Sequence, residues 1–130
     1  MNLSAVSVVV PDYDEALAFY VGTLGFTLCE DTMLSPTKRW VTVVPPDSGA
    51  SGCRLLLARA ANEAQRAAIG RQAGGRVFLF LNTGDFARDH ARMVRKGVRF
   101  IEKPRDEPYG RVAVFEDPFG NLWDLIEARV

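Results

Sequence analysis

The chain has 130 residues, with 16 basic and 16 acidic side chains and one histidine, so its formal net charge at neutral pH is zero. Hydrophobic residues make up 48% and charged residues 25%, ordinary globular usage that excludes a disordered chain. The missing basic excess excludes phosphate neutralisation as the main business of the surface, so no nucleic-acid partner is expected, while a small-molecule ligand stays open.

Leu3 to Val10 is rich in β-branched valine and reads as a buried strand, ended by Pro11-Asp12. Asp12 or Asp14 can cap a helix in which Tyr13, Ala16, Leu17, Tyr20 and Leu24 recur at helical spacing, with Gly25 as its stop. Phe26 to Glu30 is extended, Ser35-Pro36 marks a loop, and Trp40 to Val44 is a second β-rich run. After the turn cluster Pro45 to Gly49 comes a further strand, Gly52 to Ala58. Residues 60–74 are a connector, rich in Ala, Gln, Glu and Arg, that ends near Gly74-Gly75. Val77 to Leu81 is an apolar strand. Gly84-Asp85 opens a second helix carrying Phe86, His90, Met93 and Gly97 on one face. Val98 to Ile101 starts a strand and Pro104 to Tyr109 reads as a loop. Arg111 to Phe115 and Leu122 to Ile126 are strands joined by the turn Asp117-Pro118-Phe119-Gly120-Asn121.

The order strand, Asp, amphipathic helix, Gly, extended run therefore occurs twice: Asp12 corresponds to Asp85 and Gly25 to Gly97. The expected fold is α+β: two βαβββ modules, 1–59 and 75–130, forming a curved mixed β-sheet in a single domain with helices on the convex side and a ligand-holding face opposite. Charge divides with the repeat. Residues 1–65 carry four basic and seven acidic side chains, residues 66–130 twelve and nine. Cys29 and Cys53 are too few and too scattered for a disulfide framework and are expected to be small buried apolar residues. The first ten residues lack a basic n-region, and no apolar run approaches the roughly 20 residues that span a bilayer. A cytoplasmic protein without a membrane partner is expected.

Asp12-Tyr13-Asp14-Glu15-Ala16-Leu17-Ala18-Phe19-Tyr20 followed by Leu24-Gly25-Phe26 resembles the opening of the vicinal oxygen chelate superfamily. That group includes glyoxalase I, extradiol dioxygenases, fosfomycin-resistance enzymes and bleomycin-resistance proteins. Glu116-Asp117-Pro118-Phe119-Gly120-Asn121-Leu122-Trp123-Asp124-Leu125-Ile126 resembles its closing hairpin. The resemblance implies one divalent metal held by His, Glu or Gln at four strand positions, which fall here on Ala5, Leu56, Val77 and Asp124. Three of these offer no lone pair, and one carboxylate does not complete a shell. The expectation is therefore no metal and no cofactor, as in the superfamily's binders that sequester a ligand in an apolar cleft at a dimer interface.

Candidate ligand-binding residues are Trp40, Arg54, Tyr109, Arg111 and Asp124. Asp124 is a carboxylate among apolar neighbours, suited to anchoring a ligand or acting as a base, or else to pairing with Arg54 or Arg111. Arg54 shares a strand face with Leu56 and Ala58 and suits a carboxylate or phosphate. Trp40 and Tyr109 flank loops and offer aromatic surface, whereas Trp123 is expected in the core. If Val77 faces the cleft, Leu79 and Leu81 share that face and Phe78 and Phe80 pack beneath the helix. The expected function is metal-independent binding of a small molecule, a drug or toxic metabolite, by a homodimer. The alternatives are a metal-dependent lyase or dioxygenase of the same superfamily, a dimeric interaction scaffold without a ligand, and metal-free acid–base catalysis by Asp124.

Overall fold

The computed structural model describes residues 1–49 and 52–129; Ala50, Ser51 and Val130 lie outside them. The chain divides into two compact units, Met1–Ile69 and Gly70–Val130. Each carries one mixed sheet, of four and five strands respectively, so the α+β class and the repeated module are present as expected. No described helix is long and apolar enough to cross a membrane.

In the first unit β1 (Ala5–Val10) runs parallel to β4 (Arg54–Arg59). Antiparallel to β4 comes β3 (Arg39–Val44), followed by β2 (Thr27–Met33), giving the order β1-β4-β3-β2. Strand alternation sends Val8, Val10, Leu55, Leu57, Val41 and Val43 into the core. Each such side chain contributes about 1.5–3 kcal/mol by leaving water. With them are buried Tyr13 and Ala16 of α1 (Tyr13–Leu17). Asp12 caps α1 by accepting the Glu15 amide at 2.9 Å. The helix does not stop at Leu17 but widens over Ala18–Thr23 into π-type winding, with the Leu24 amide donating to the Phe19 carbonyl at 2.8 Å. Gly25 then turns the chain with φ +80°. In the connector, α2 (Glu63–Ala68) is capped by Asn62 and buries none of its side chains.

This sheet forks. The β3–β4 register runs through Val43↔Leu55 and Thr42↔Leu56, while β4 stays with β1 out to Val10↔Arg59 and β3 stays with β2 out to Met33↔Arg39. A cavity of 430 Å³ occupies the gap.

In the second unit β5 (Val77–Asn82) is parallel to β9 (Leu122–Ala128), and β8 (Gly110–Glu116) lies antiparallel beside β9. β6 (Arg99–Phe100) and β7 (Arg105–Glu107) pair successively along β8. The segment expected as a loop over Pro104 to Tyr109 thus contains a short strand, because Pro108-Tyr109 makes a tight reversal into β8. Above one face lies α3 (Phe86–Arg95), capped by Asp85 and stopped by Gly97 at φ +86°. His90 sits between Phe86 and Phe100, with ring centroids at 5.3 and 4.3 Å. The aromatic run continues through Phe115 to Trp123.

Two expectations need correction. Phe80 is 64% exposed and not beneath the helix. A register shift between Val77 and Leu79 places Leu79 opposite Trp123 and Phe80 opposite Asp124, so everything after the bulge changes face. The cysteines are not core residues either: Cys29 is half-buried and Cys53 exposed, because Cys53 precedes β4 and lies outside its alternation.

Candidate functional site

On the first sheet, the face opposite the buried valines carries Ala5, Ser7, Leu56, Ala58 and Arg54. Arg54 stands in register with Ala5. Across it, on β2, Glu30 gathers three donors. Its Oε1 accepts from Arg54 Nη1 at 2.5 Å and from Thr42 Oγ1 at 3.2 Å, and its Oε2 accepts from Trp40 Nε1 at 3.0 Å. Trp40 is 39% exposed, so part of its side chain remains available. These residues and Ala5 line a depression of 290 Å³. One carboxylate therefore fixes a guanidinium, an indole and a hydroxyl before any ligand arrives, and Arg54 keeps further N–H donors for an acceptor. Trp40 and Arg54 were expected here. Glu30, which organises them, was not singled out, because a bulge between Leu28 and Glu30 breaks the alternation that would have shown its face.

On the second sheet Asp124 lies opposite Phe80 on one side and Val114 on the other. Its Oδ1 is buried and has no hydrogen-bond partner among the described residues. Burial pushes this carboxyl above the usual range; Arg105 pulls it down and Glu102 pushes it further up. The nearby cation is thus Arg105, not Arg54 or Arg111. Arg105 is itself engaged, donating to Glu102 at 3.0 Å and Glu107 at 2.7 Å and interacting with the Tyr109 hydroxyl. Tyr109 is 54% exposed at the β7–β8 reversal. Arg111 takes the other side of the sheet: its guanidinium stands 5.2 Å from the centre of the Phe86 ring of α3 and 3.9 Å from Asp106. The structure therefore joins Trp40 with Arg54 through Glu30, links Tyr109 to Asp124 through Arg105, and turns Arg111 away. Arg105 escaped the sequence reading because it lies in the segment taken for a loop, and Glu102 because it lies between that segment and the strand expected over Val98 to Ile101.

The metal implied by the resemblance can be tested position by position. Ala5 and Leu56 present hydrocarbon, and the register partner of Ala5 is a guanidinium, which repels a cation. Val77 presents hydrocarbon at a bulge. Among the described residues no three His, Cys, Asp or Glu side chains assemble as a ligand set. The residues present do not fit the superfamily's divalent metal.

The sheet order, the capped helices and the closing hairpin agree with a family model. The model of the Glyoxalase/Bleomycin resistance protein/Dioxygenase superfamily matches residues 2–125. The chain belongs to this superfamily. It is 56% identical over 123 residues to an uncharacterized protein of Shewanella frigidimarina, covering 94% of this chain and 90% of that one. Among solved structures of this glyoxalase-type fold it is similar to UcmS2, with 30% identity, 97% of each chain covered and a TM-score of 0.82. It is also similar to TnmS3, an antibiotic binding protein from Streptomyces sp. CB03234, with 31% identity, 99% and 97% covered and a TM-score of 0.77.

Proposed function

We propose that this glyoxalase/bleomycin resistance superfamily member is a metal-independent small-molecule binding protein that sequesters a drug or toxic metabolite. The observation that carries the reading is the Glu30–Arg54–Trp40–Thr42 cluster beside Ala5: at a position where the superfamily's enzymes carry a metal ligand, this chain has a methyl group next to a preorganised polar and aromatic floor. The likeness to an antibiotic binding protein supports the same class of ligand. Trp40 supplies a stacking surface and Arg54 a directed donor, the usual division between apolar contact and orientation in such pockets. A homodimer goes with this reading and is measured by light scattering in solution.

The test is a thermal-shift screen of antibiotics of several classes, run with EDTA and separately with zinc, nickel and manganese, followed by calorimetry on any hit. The expected result is a compound that raises the unfolding midpoint equally with and without EDTA, and whose affinity falls at least tenfold in Trp40→Ala. Stoichiometric metal binding together with loss of ligand binding in EDTA would overturn the reading in favour of a metal-dependent lyase or dioxygenase.

A further inference from the structure

The fork in the first sheet holds a cavity distinct from the depression beside Ala5, and its chemistry is different. Continuing the β3–β4 register past Thr42↔Leu56 would bring Arg39 opposite Arg59, and like charges facing one another across a ladder are unfavourable. The strands part there instead, and Tyr13 enters the gap. Its hydroxyl accepts the Arg39 amide at 3.1 Å, a hydrogen bond the ladder no longer supplies, and both guanidinium groups stand over its ring, at 5.1 Å for Arg39 and 5.7 Å for Arg59.

The two arginines are not compensated alike. Arg39 is neutralised twice, by Asp31 at 2.8 Å and Asp14 at 2.9 Å. Arg59 has no acidic partner among the described residues; its Nη2 donates to the Thr37 carbonyl at 2.9 Å, which fixes the group across the mouth of the fork without cancelling its charge. Lys38, which precedes β3 across the fork and lines the same cavity, also has no acidic partner among the described residues. The Tyr13 hydroxyl, having accepted from Arg39, retains its own proton to donate. Leu56, Ala58 and the Trp40 ring give the cavity an apolar wall, and Ser35, Thr37 and Gln65 add uncharged polar groups at its edge. The volume of 430 Å³ lies within the range of small-molecule pockets.

We infer that this fork is a second binding site, selective for an anionic ligand with a flat apolar body, such as an aromatic carboxylate, whose carboxylate is held by Arg59 and Lys38 while its rings lie against Leu56 and Trp40. A planar guanidinium pinned by a backbone carbonyl pairs with a carboxylate at low ordering cost. The inference shares the Trp40 ring with the proposed function but none of its charged groups, because it uses neither Arg54 nor Glu30.

Calorimetric titration of the full chain with 2-naphthoate, and with the isosteric neutral 2-naphthamide, tests it. Naphthoate is expected to bind at least tenfold more tightly than naphthamide. Arg59→Gln should weaken naphthoate at least tenfold and leave naphthamide within twofold. Lys38→Gln, which changes an exposed side chain and leaves the main-chain bonds of Lys38 to Leu34 and Ser35 in place, should weaken naphthoate about threefold, so the claim stays testable if Arg59→Gln folds poorly. Arg54→Gln should leave naphthoate binding within twofold. Absence of naphthoate binding, equal binding of acid and amide, or naphthoate binding that survives both Arg59→Gln and Lys38→Gln overturns the inference. Loss of naphthoate binding in Arg54→Gln would overturn it too, by moving the ligand to the depression beside Ala5.

Discussion

At the scale of single residues the first sheet depends on which carboxylate meets which cation. Glu30 is the shared acceptor for Arg54, Trp40 and Thr42. Both Arg54 and Glu30 are more than a third exposed, so solvent screens the ion pair and its net contribution is small. Glu30→Ala is therefore expected to cost about 1 kcal/mol or less in urea unfolding, yet to shift tryptophan emission, because the Trp40 indole loses its fixed acceptor while Trp123 stays buried. An unchanged emission spectrum would mean that Glu30 does not hold the ring. Sequence reading found the donors of this cluster because Trp and Arg carry recognisable chemistry on an alternating strand. It missed the acceptor because one extra residue in β2 scrambles the alternation. The same cause misplaced Phe80, one residue after a bulge in β5.

At the scale of elements, punctuation was more legible than register. Asp12, Gly25, Asp85 and Gly97 stand at the helix ends that the sequence assigned to them. Caps and left-handed glycines are decided by local geometry, which a short window contains. Pairing partners are decided by residues far away, so the fork and the short β7 strand were invisible. Two capped α-helices, α3 of the second unit and α2 of the connector, differ in what their caps support. Asp85 caps α3, which buries Phe86 and Met93, and accepts the Arg88 amide at 3.0 Å. Asn62 caps α2, which buries nothing. Removing the first cap should loosen packing as well as the helix end: Asp85→Ala is expected to destabilise global unfolding by about 1 kcal/mol. Asn62→Ala is expected to alter only local amide exchange in 63–68, because that helix opens without unfolding the sheet. Equal losses in urea midpoint for the two variants would show that α2 is tied to the core.

At the scale of the whole molecule, neutrality hides a division that follows the structural units. Met1–Ile69 carries five basic and seven acidic side chains, Gly70–Val130 eleven and nine. Neither surplus decides stability; the response to pH is set by individual groups that burial has displaced. Two of them lie in the second unit and act in opposite directions. Asp124 has its carboxyl raised by burial, so between the ordinary carboxylate value of about 3.9 and its higher folded value the native state holds more protons than the unfolded chain. Stability from this group falls as pH rises through that window and stays lower above it. His90 has its imidazole lowered, first by burial between Phe86 and Phe100 and then by the Arg111 charge. Below the ordinary histidine value of about 6.5 the unfolded chain binds the extra proton, so stability from this group falls as pH drops towards the lower folded value. The expected outcomes separate cleanly in urea unfolding measured from pH 4 to pH 8. Asp124→Asn should be more stable than the parent at pH 7, with the difference shrinking towards pH 4 as the folded parent takes up its proton ahead of the unfolded chain. His90→Phe should show the reverse: a parent-like difference that is constant above pH 7 and an advantage that grows as the solution is acidified. An Asp124→Asn difference that does not depend on pH would mean that the buried Oδ1 has found a partner in solution, and with it a proton-independent role for this carboxylate.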